Sequence, residues 1–308
     1  MKKKYIKGII ICFLLIFLTL ISTNKLSIKN FFQATYGTKM IQQIKTKMSN
    51  HVNSSLYSSN AILMSVHNGK IIMEKNSDDP IYPASLTKIM TAIVAIEHIP
   101  DLSQQIELPP DIFQNLYSAN ASMAGFLPNE KVKAIDLLYG TLLPSGAEAT
   151  IVLAQHISGS EDEFVKQMNK KAKQLGMKHT HFTNATGLQE ANHYTSVKDI
   201  SILLRHALKN KVFREIFTTK SYSTSSTNLH PEGITFSSSM FLKMESPEIS
   251  GGEIIGGKTG YTEEAGLCLA SLAIKEGEEF IFVTAGAKGN HKTKQFHIED
   301  AFTVYNNI

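Results

Sequence analysis

The chain has 308 residues, 43% of them hydrophobic and 19% charged, which supplies enough apolar material for a sizeable core and excludes a disordered chain. Its net charge of +4 is confined to the start: of 31 basic residues four are Lys2, Lys3, Lys4 and Lys7, and the other 27 balance 27 acidic residues, so no nucleic-acid footprint exists. Cys12 lies in an apolar run and Cys268 in a strand-like segment, a pair not expected to form a disulfide, so stability must come from packing.

The basic start is followed by an uncharged run from Gly8 to Thr23, the pattern of an export signal with its positive side in the cytoplasm. Ile21-Ser22-Thr23-Asn24-Lys25 offers no small-x-small cleavage site. Residues 1–24 are therefore expected to remain as a membrane anchor, with the rest on the extracytoplasmic face, or secreted if the segment is cleaved. A lipoprotein anchor through Cys12 is disfavoured, because Ile9-Ile10-Ile11 stand where small residues belong. Residues 25–59 are polar and suit a helical stalk, leaving 60–308 as the folded domain.

Ala61–Val66 and Ile71–Glu74 flank Asn68-Gly69, a strong two-residue hairpin signal. Leu86, Ile89, Met90, Ile93 and Val94 recur at helical spacing, predicting an amphipathic helix from Ser85 to Ile99, stopped by Pro100. Further helices are predicted over Ile135–Leu143, Glu148–Ile157 and Asp162–Leu175, ended by Pro144 and Gly176, giving an all-helical subregion from Asp136 to Ala207. After a Ser/Thr-rich stretch, Leu267–Ile274 and Phe280–Ala285 read as a second hairpin joined by Lys275–Glu279, and His291–Tyr305 as a closing helix. Strands at both ends of a helical middle predict an α+β fold.

Three short signatures follow one another: Ser85-Leu86-Thr87-Lys88, Ser145-Gly146-Ala147 and Lys258-Thr259-Gly260. The first puts an amine within reach of a hydroxyl at a helix start, where developing negative charge is favoured. Singly each is weak. Ser22-Thr23-Asn24-Lys25 also reads S-x-x-K, and Ser118-Ala119-Asn120 fits S-x-N better than Ser145 does. Only Ser85 opens a helical pattern.

Together the signatures match the set shared by penicillin-binding proteins and class A β-lactamases. Pro83–Ala92, Asp136–Gly140 leading to Ser145-Gly146, Asn184-Ala185-Thr186-Gly187-Leu188 with His193–Ser196, and Gly257–Thr262 with Ala265-Gly266 resemble, in order, the serine D-Ala-D-Ala carboxypeptidases. The likeness spans roughly Ala61 to Ala287. It implies a β-lactamase/DD-peptidase-like catalytic domain, an antiparallel sheet flanked by helices, acting without cofactor or metal on peptidoglycan pentapeptide stems and reacting with β-lactam antibiotics.

By that resemblance Ser85 is the nucleophile, Lys88 its base, and Ser145 a proton relay to the leaving amine. Lys258 and Thr259 bind the substrate carboxylate, Gly260 permits close strand approach, and the amides of Ser85 and Tyr261 form the oxyanion hole. Lys88 must be neutral to act, and burial together with the charge of Lys258 is expected to lower its pKa. One position departs from the pattern: Ala147 stands where the family carries Asn. Water or Asn120 could replace the lost amide.

Gly252–Thr259 spells a phosphate-loop pattern, but lacks the strand before and helix after that such a loop needs. His179-x-His181 has no third ligand at metal spacing. Three functions of different class remain: a carboxypeptidase, a D-alanyl esterase or β-lactamase on the same fold, and a non-catalytic penicillin or muropeptide sensor. The absence of a Glu-x-x-Leu-Asn loop disfavours the β-lactamase, and the intact Ser85, Lys88 and Lys258 disfavour the sensor.

Overall fold

The hairpin at Asn68-Gly69 forms: β1 (Asn60–Ser65) runs antiparallel to β2 (Ile71–Lys75), and Gly69 takes φ +71°, a conformation free of cost without a Cβ. The computed structural model describes residues 55–308, so the expected anchor over 1–24 and all but the last five residues of the expected stalk lie outside them. Of those five, Tyr57 and Ser58 reach the C-terminal helix, their amides donating to the Asp300 carboxylate at 2.9 and 2.8 Å. Among the described residues no helix is long and apolar enough to cross a membrane.

The main sheet has the order β2-β1-β10-β9-β8-β7, all its pairs antiparallel. Its centre is the second hairpin, β9 (Gly266–Lys275) and β10 (Glu278–Ala287). The turn is tighter than the sequence predicts, because the strands pair to their ends and leave only Glu276 and Gly277, with φ +51° and +81°, to reverse the chain. Side chains alternate between the two faces. Ile281, Val283 and Ala285 enter the large core, whereas Phe282 meets Tyr305 edge-on from the other side.

Next to this hairpin lies β8 (Gly252–Thr262), eleven residues with four glycines, flanked by β7 (Glu248–Ile249). β7 pairs only with Glu253 and Gly252, so the rest of β8 forms an edge of the sheet. The phosphate-loop pattern therefore falls within a strand, and β9 rather than a helix follows it.

The helix predicted from Ser85 is two elements. Ala84–Leu86 is a 3₁₀ turn and α1 spans Thr87–His98. Nor is α1 amphipathic, for every residue from Thr87 to Ala95 is buried. Its polar residues are inside because each finds a partner: Thr91 donates to the Ala185 carbonyl at 2.7 Å, and Thr87 bonds the ring of His193 at 2.8 Å.

Around α1 stand α2 (Asp111–Ser118), α3 (Ala134–Leu142), α4 (Ala147–Ser158), α5 (Glu161–Leu175), α6 (Val197–Ala207) and α7 (Lys211–Thr218). The predicted all-helical subregion is interrupted. Residues 176–196 form a loop that bridges Thr195 to Ile81 and Tyr194 to His181, because Gly176 at φ +77° ends α5. Short pairs β3 (Gln105–Glu107) with β4 (Lys131–Lys133) and β5 (Ser221–Ser223) with β6 (Thr235–Ser237) decorate the helical side. The closing helix α8 (Phe296–Asn306) packs on β9 and β10.

Candidate active site

The turn bearing Ser85 is gripped from two sides by close-approaching glycine backbone. A Cβ on Gly260 of β8 would stand 3.1 Å from the Ser85 amide nitrogen and 3.2 Å from the Pro83 carbonyl oxygen. On the other side, Gly187 at φ +83° lies so close that a Cβ would sit 1.9 Å from the Ala84 carbonyl oxygen. Asn184 shapes that loop by accepting the Gly187 amide at 2.7 Å. Ala84 itself is held at φ +46°, a left-handed conformation costly for a residue with a Cβ.

Lys88 is 2% exposed. Its Nζ lies 3.2 Å from Ser85 Oγ and donates to the Thr186 carbonyl at 2.6 Å. Burial pulls its pKa from 10.5 down to about 7, against the opposing charges of Glu148 and Glu161. Lys258 is also fully buried and held well below its ordinary value, first by desolvation and then by repulsion from the Lys88 charge, and that repulsion is mutual.

Ser145 sits between α3 and α4 at φ +70°. It is 6% exposed, and its Oγ has no hydrogen-bond partner among the described residues. On β8, Lys258 Nζ donates to the Thr259 carbonyl at 2.7 Å, and Thr259 Oγ1 bonds Ser239 Oγ at 2.7 Å. Tyr261 meets the His291 ring edge-on at 4.9 Å.

Two adjoining hollows meet at Ser85. The larger, about 700 Å³, is lined by Ser85, Lys88, Ser122, Ala147, Thr186 and Tyr261 among others. The smaller, about 240 Å³, is lined by Ser85, Ser145, Thr259, Gly260, Tyr261 and His297 among others. Thus Ser85, Lys88, Ser145, Thr259, Gly260 and Tyr261 share one cleft, while Lys258 stands behind its wall. Ala147 borders the larger hollow although buried, and Asn120, at φ +49°, borders the same hollow from the segment after α2.

Sequence reasoning missed several groups that hold this arrangement. Glu148, fully buried, accepts three backbone amides through one oxygen. His193 accepts the Thr183 amide at Nδ1, 3.0 Å away, so its proton is on Nε2 and is donated to Thr87. Burial holds this histidine neutral, its pKa lowered to about 4. The position of Glu148 directly after the Ser145-Gly146-Ala147 signature was the available clue; nothing in the sequence pointed from His193 to Thr87. The decoy histidines lie elsewhere: His179 faces Asp78 at 3.5 Å and His181 bonds the Asn192 carbonyl.

A hydroxyl beside a buried amine of near-neutral pKa, at the floor of an open cleft, can carry out base-assisted nucleophilic attack. Known proteins are similar to this chain in sequence and fold. Residues 45–289 match the D-alanyl-D-alanine carboxypeptidase family. The chain is 35% identical over 227 residues to the D-alanyl-D-alanine carboxypeptidase DacF of Bacillus subtilis, covering 74% of this chain and 57% of that protein. It is 32% identical over 221 residues to DacA of Haemophilus influenzae, covering 69% and 52%. It thus spans little more than half the length of these relatives. The fold is similar to the Streptomyces K15 DD-transpeptidase, with a TM-score of 0.74, 26% identity, and coverage of 82% of this chain and 97% of that one.

Proposed function

The chain belongs to the D-alanyl-D-alanine carboxypeptidase family, and from that premise we propose that its cleft removes the terminal D-alanine of peptidoglycan stem peptides through an acyl-enzyme on Ser85. The observation that carries this reading is the Ser85–Lys88 pair: an amine 3.2 Å from the hydroxyl, with a pKa of about 7, takes the proton as Oγ attacks the carbonyl carbon. The oxyanion faces the amides of Ser85 and Tyr261, each worth ~3 kcal/mol in acyl transfer. Ser145, whose hydroxyl is free of other partners, passes a proton to the leaving amine and D-alanine departs. Water then hydrolyses the ester, with Lys88 again as base.

The substrate carboxylate is bound by Thr259, and its negative charge favours protonation of Lys258 behind it, whose pKa burial otherwise holds well below the ordinary value. β-Lactams, which present a reactive carbonyl and a carboxylate at similar spacing, acylate the same serine. The basic start and apolar run from Gly8 to Thr23 support an anchor that keeps the domain on the outer face of the cell membrane. Ala147 favours a second reading, a D-alanyl ester as acyl donor, since an ester has no amide N–H to be met by an Asn side chain.

Free D-alanine released from a pentapeptide, and covalent labelling by a fluorescent penicillin, are both expected from the natural protein and both lost in Ser85→Ala. Labelling that persists without Ser85 would overturn the assignment. Release from esters but not from peptides would establish the second reading.

A further inference from the structure

One wall of the larger hollow is built from chain with no regular structure. After α2 ends at Ser118, residues 119–127 lie in neither helix nor strand, and Ala119, Asn120, Ala121 and Ser122 border the hollow. Gly125 is exposed. Backbone of this kind must find its hydrogen bonds outside itself.

It finds them in the first turn of α4. One Glu148 oxygen, Oε1, accepts the amides of Ala124 at 2.7 Å, Gly125 at 2.8 Å and Phe126 at 3.3 Å. From the preceding residue, the Ala147 amide donates to the Ser122 carbonyl at 2.8 Å. No side-chain cation bonds this carboxylate, and its other oxygen, Oε2, is buried without a partner among the described residues. Burial raises the pKa of Glu148, and the three amide bonds, stronger to a charged acceptor, together with the helix start, oppose that rise and favour the carboxylate.

The same helix, α4, packs against the one that carries the base, α1, and the charges that act on Lys88 are Glu148 from α4 and Glu161 from α5. Lys258 of β8 and His193 of the loop before α6 are the other titratable groups near it. Glu161 is occupied elsewhere, accepting the Ala185 amide at 2.8 Å, on the opposite wall.

We propose that Glu148 is a positioning residue for acylation: one oxygen holds Ala124, Gly125 and Phe126, and so steadies the segment whose residues 119–122 border the hollow, while its charge acts on Lys88. The proposal rests on the reading of the cleft as an acyl-transfer site. It couples the shape of the cleft to the strength of the base through a single side chain. The charge works against the burial that lowers the Lys88 pKa to about 7, so losing it moves the midpoint of Lys88 further down.

The test measures acylation of Ser85 by a fluorescent penicillin across the neutral pH range, separating the saturation constant from the limiting rate. It adds amide hydrogen exchange of the full chain. Glu148→Gln keeps an acceptor and loses the charge: the rising limb of the rate should move to lower pH while the saturation constant changes little. Glu148→Ala also removes the acceptor, so the saturation constant should rise about tenfold or more, and the amides of Ala124, Gly125 and Phe126 should lose protection. In the natural protein those amides should exchange slowly although Gly125 is exposed.

An unmoved limb in Glu148→Gln overturns the electrostatic half of the proposal, and fast exchange at 124–126 in the natural protein overturns the clamp. If Glu148→Ala does not fold, those two measurements still decide both halves. A natural protein that never labels at Ser85 defeats the acyl-transfer reading instead, and exchange then judges the clamp alone.

Discussion

Lys88 Nζ lies closer to the Thr186 carbonyl, at 2.6 Å, than to Ser85 Oγ, at 3.2 Å. The carbonyl orients the amine by taking one of its hydrogens, so that when Lys88 is neutral its lone pair is available to the serine.

The pH dependence follows directly. Lys88 is a base only when unprotonated, and its pKa is about 7. Acylation should therefore rise with pH through a midpoint near that value, and on the acid side fall by about tenfold per pH unit. Lys88→Ala should remove the limb and slow acylation by ~100-fold or more. A stopped-flow pH series with a chromogenic β-lactam reads this, and a limb that survives in Lys88→Ala would point to a different base.

Restoring the family amide is the second prediction. Ala147 is buried and borders the hollow shared by Ser85 and Lys88, where an Asn side chain would regain a donor and an acceptor worth ~1–3 kcal/mol, or roughly 5- to 150-fold in rate. Ala147→Asn should raise turnover of a D-Ala-D-Ala pentapeptide, measured as D-alanine released. A fall would mean that the pocket is built around the small side chain, with water or Asn120 in the amide's place.

Gly187→Ala should damage fold and activity together. Its Cβ would meet the Ala84 carbonyl oxygen at 1.9 Å, and the residue is held at φ +83°, so the loop must retreat from the Ser85 turn. A loss of ~2–3 kcal/mol is expected, a drop in Tm of roughly 5 °C for a domain of this size. Penicillin labelling should fall with it. Calorimetry showing an unchanged Tm would mean that the loop and turn are not rigidly packed.

The anchor predicts the natural amino terminus. Protein taken from its host membranes should begin at Met1 or Lys2 when sequenced and should need detergent for extraction. A mature chain starting beyond Thr23 would falsify the uncleaved anchor.

Much of this was legible in the sequence, for reasons that differ by element. The Asn68-Gly69 hairpin was readable because only a few residue types tolerate its turn, and α3 to α5 because Pro144 and Gly176 punctuate them. α1 was readable in position but not in character: its apolar spacing looked one-sided, whereas Thr87, Lys88 and Thr91 are buried too, through partners a hundred residues away. β8 was obscured by its glycines, which weaken strand propensity; Gly260 faces the Ser85 turn, while Gly252, Gly256 and Gly257 lie close against Ile274, Phe217 and Met240. Ser85, Lys88 and Lys258-Thr259-Gly260 stood out as signatures. The roles of Glu148, Thr186 and His193 did not, since each depends on long-range contacts that no local pattern encodes.

The left-handed backbone at Ala84 and Ser145 has an evolutionary consequence. Glycine at either place would relieve roughly 1 kcal/mol of conformational cost. At position 145 it would also delete the hydroxyl proposed to pass a proton to the leaving amine. Selection for robustness alone would thus favour a sturdier, silent protein, and a serine retained at 145 in a lineage marks continued demand for turnover. Paralogues that have lost the reaction should be recognisable by glycine at 145 before any other residue of the cleft has drifted.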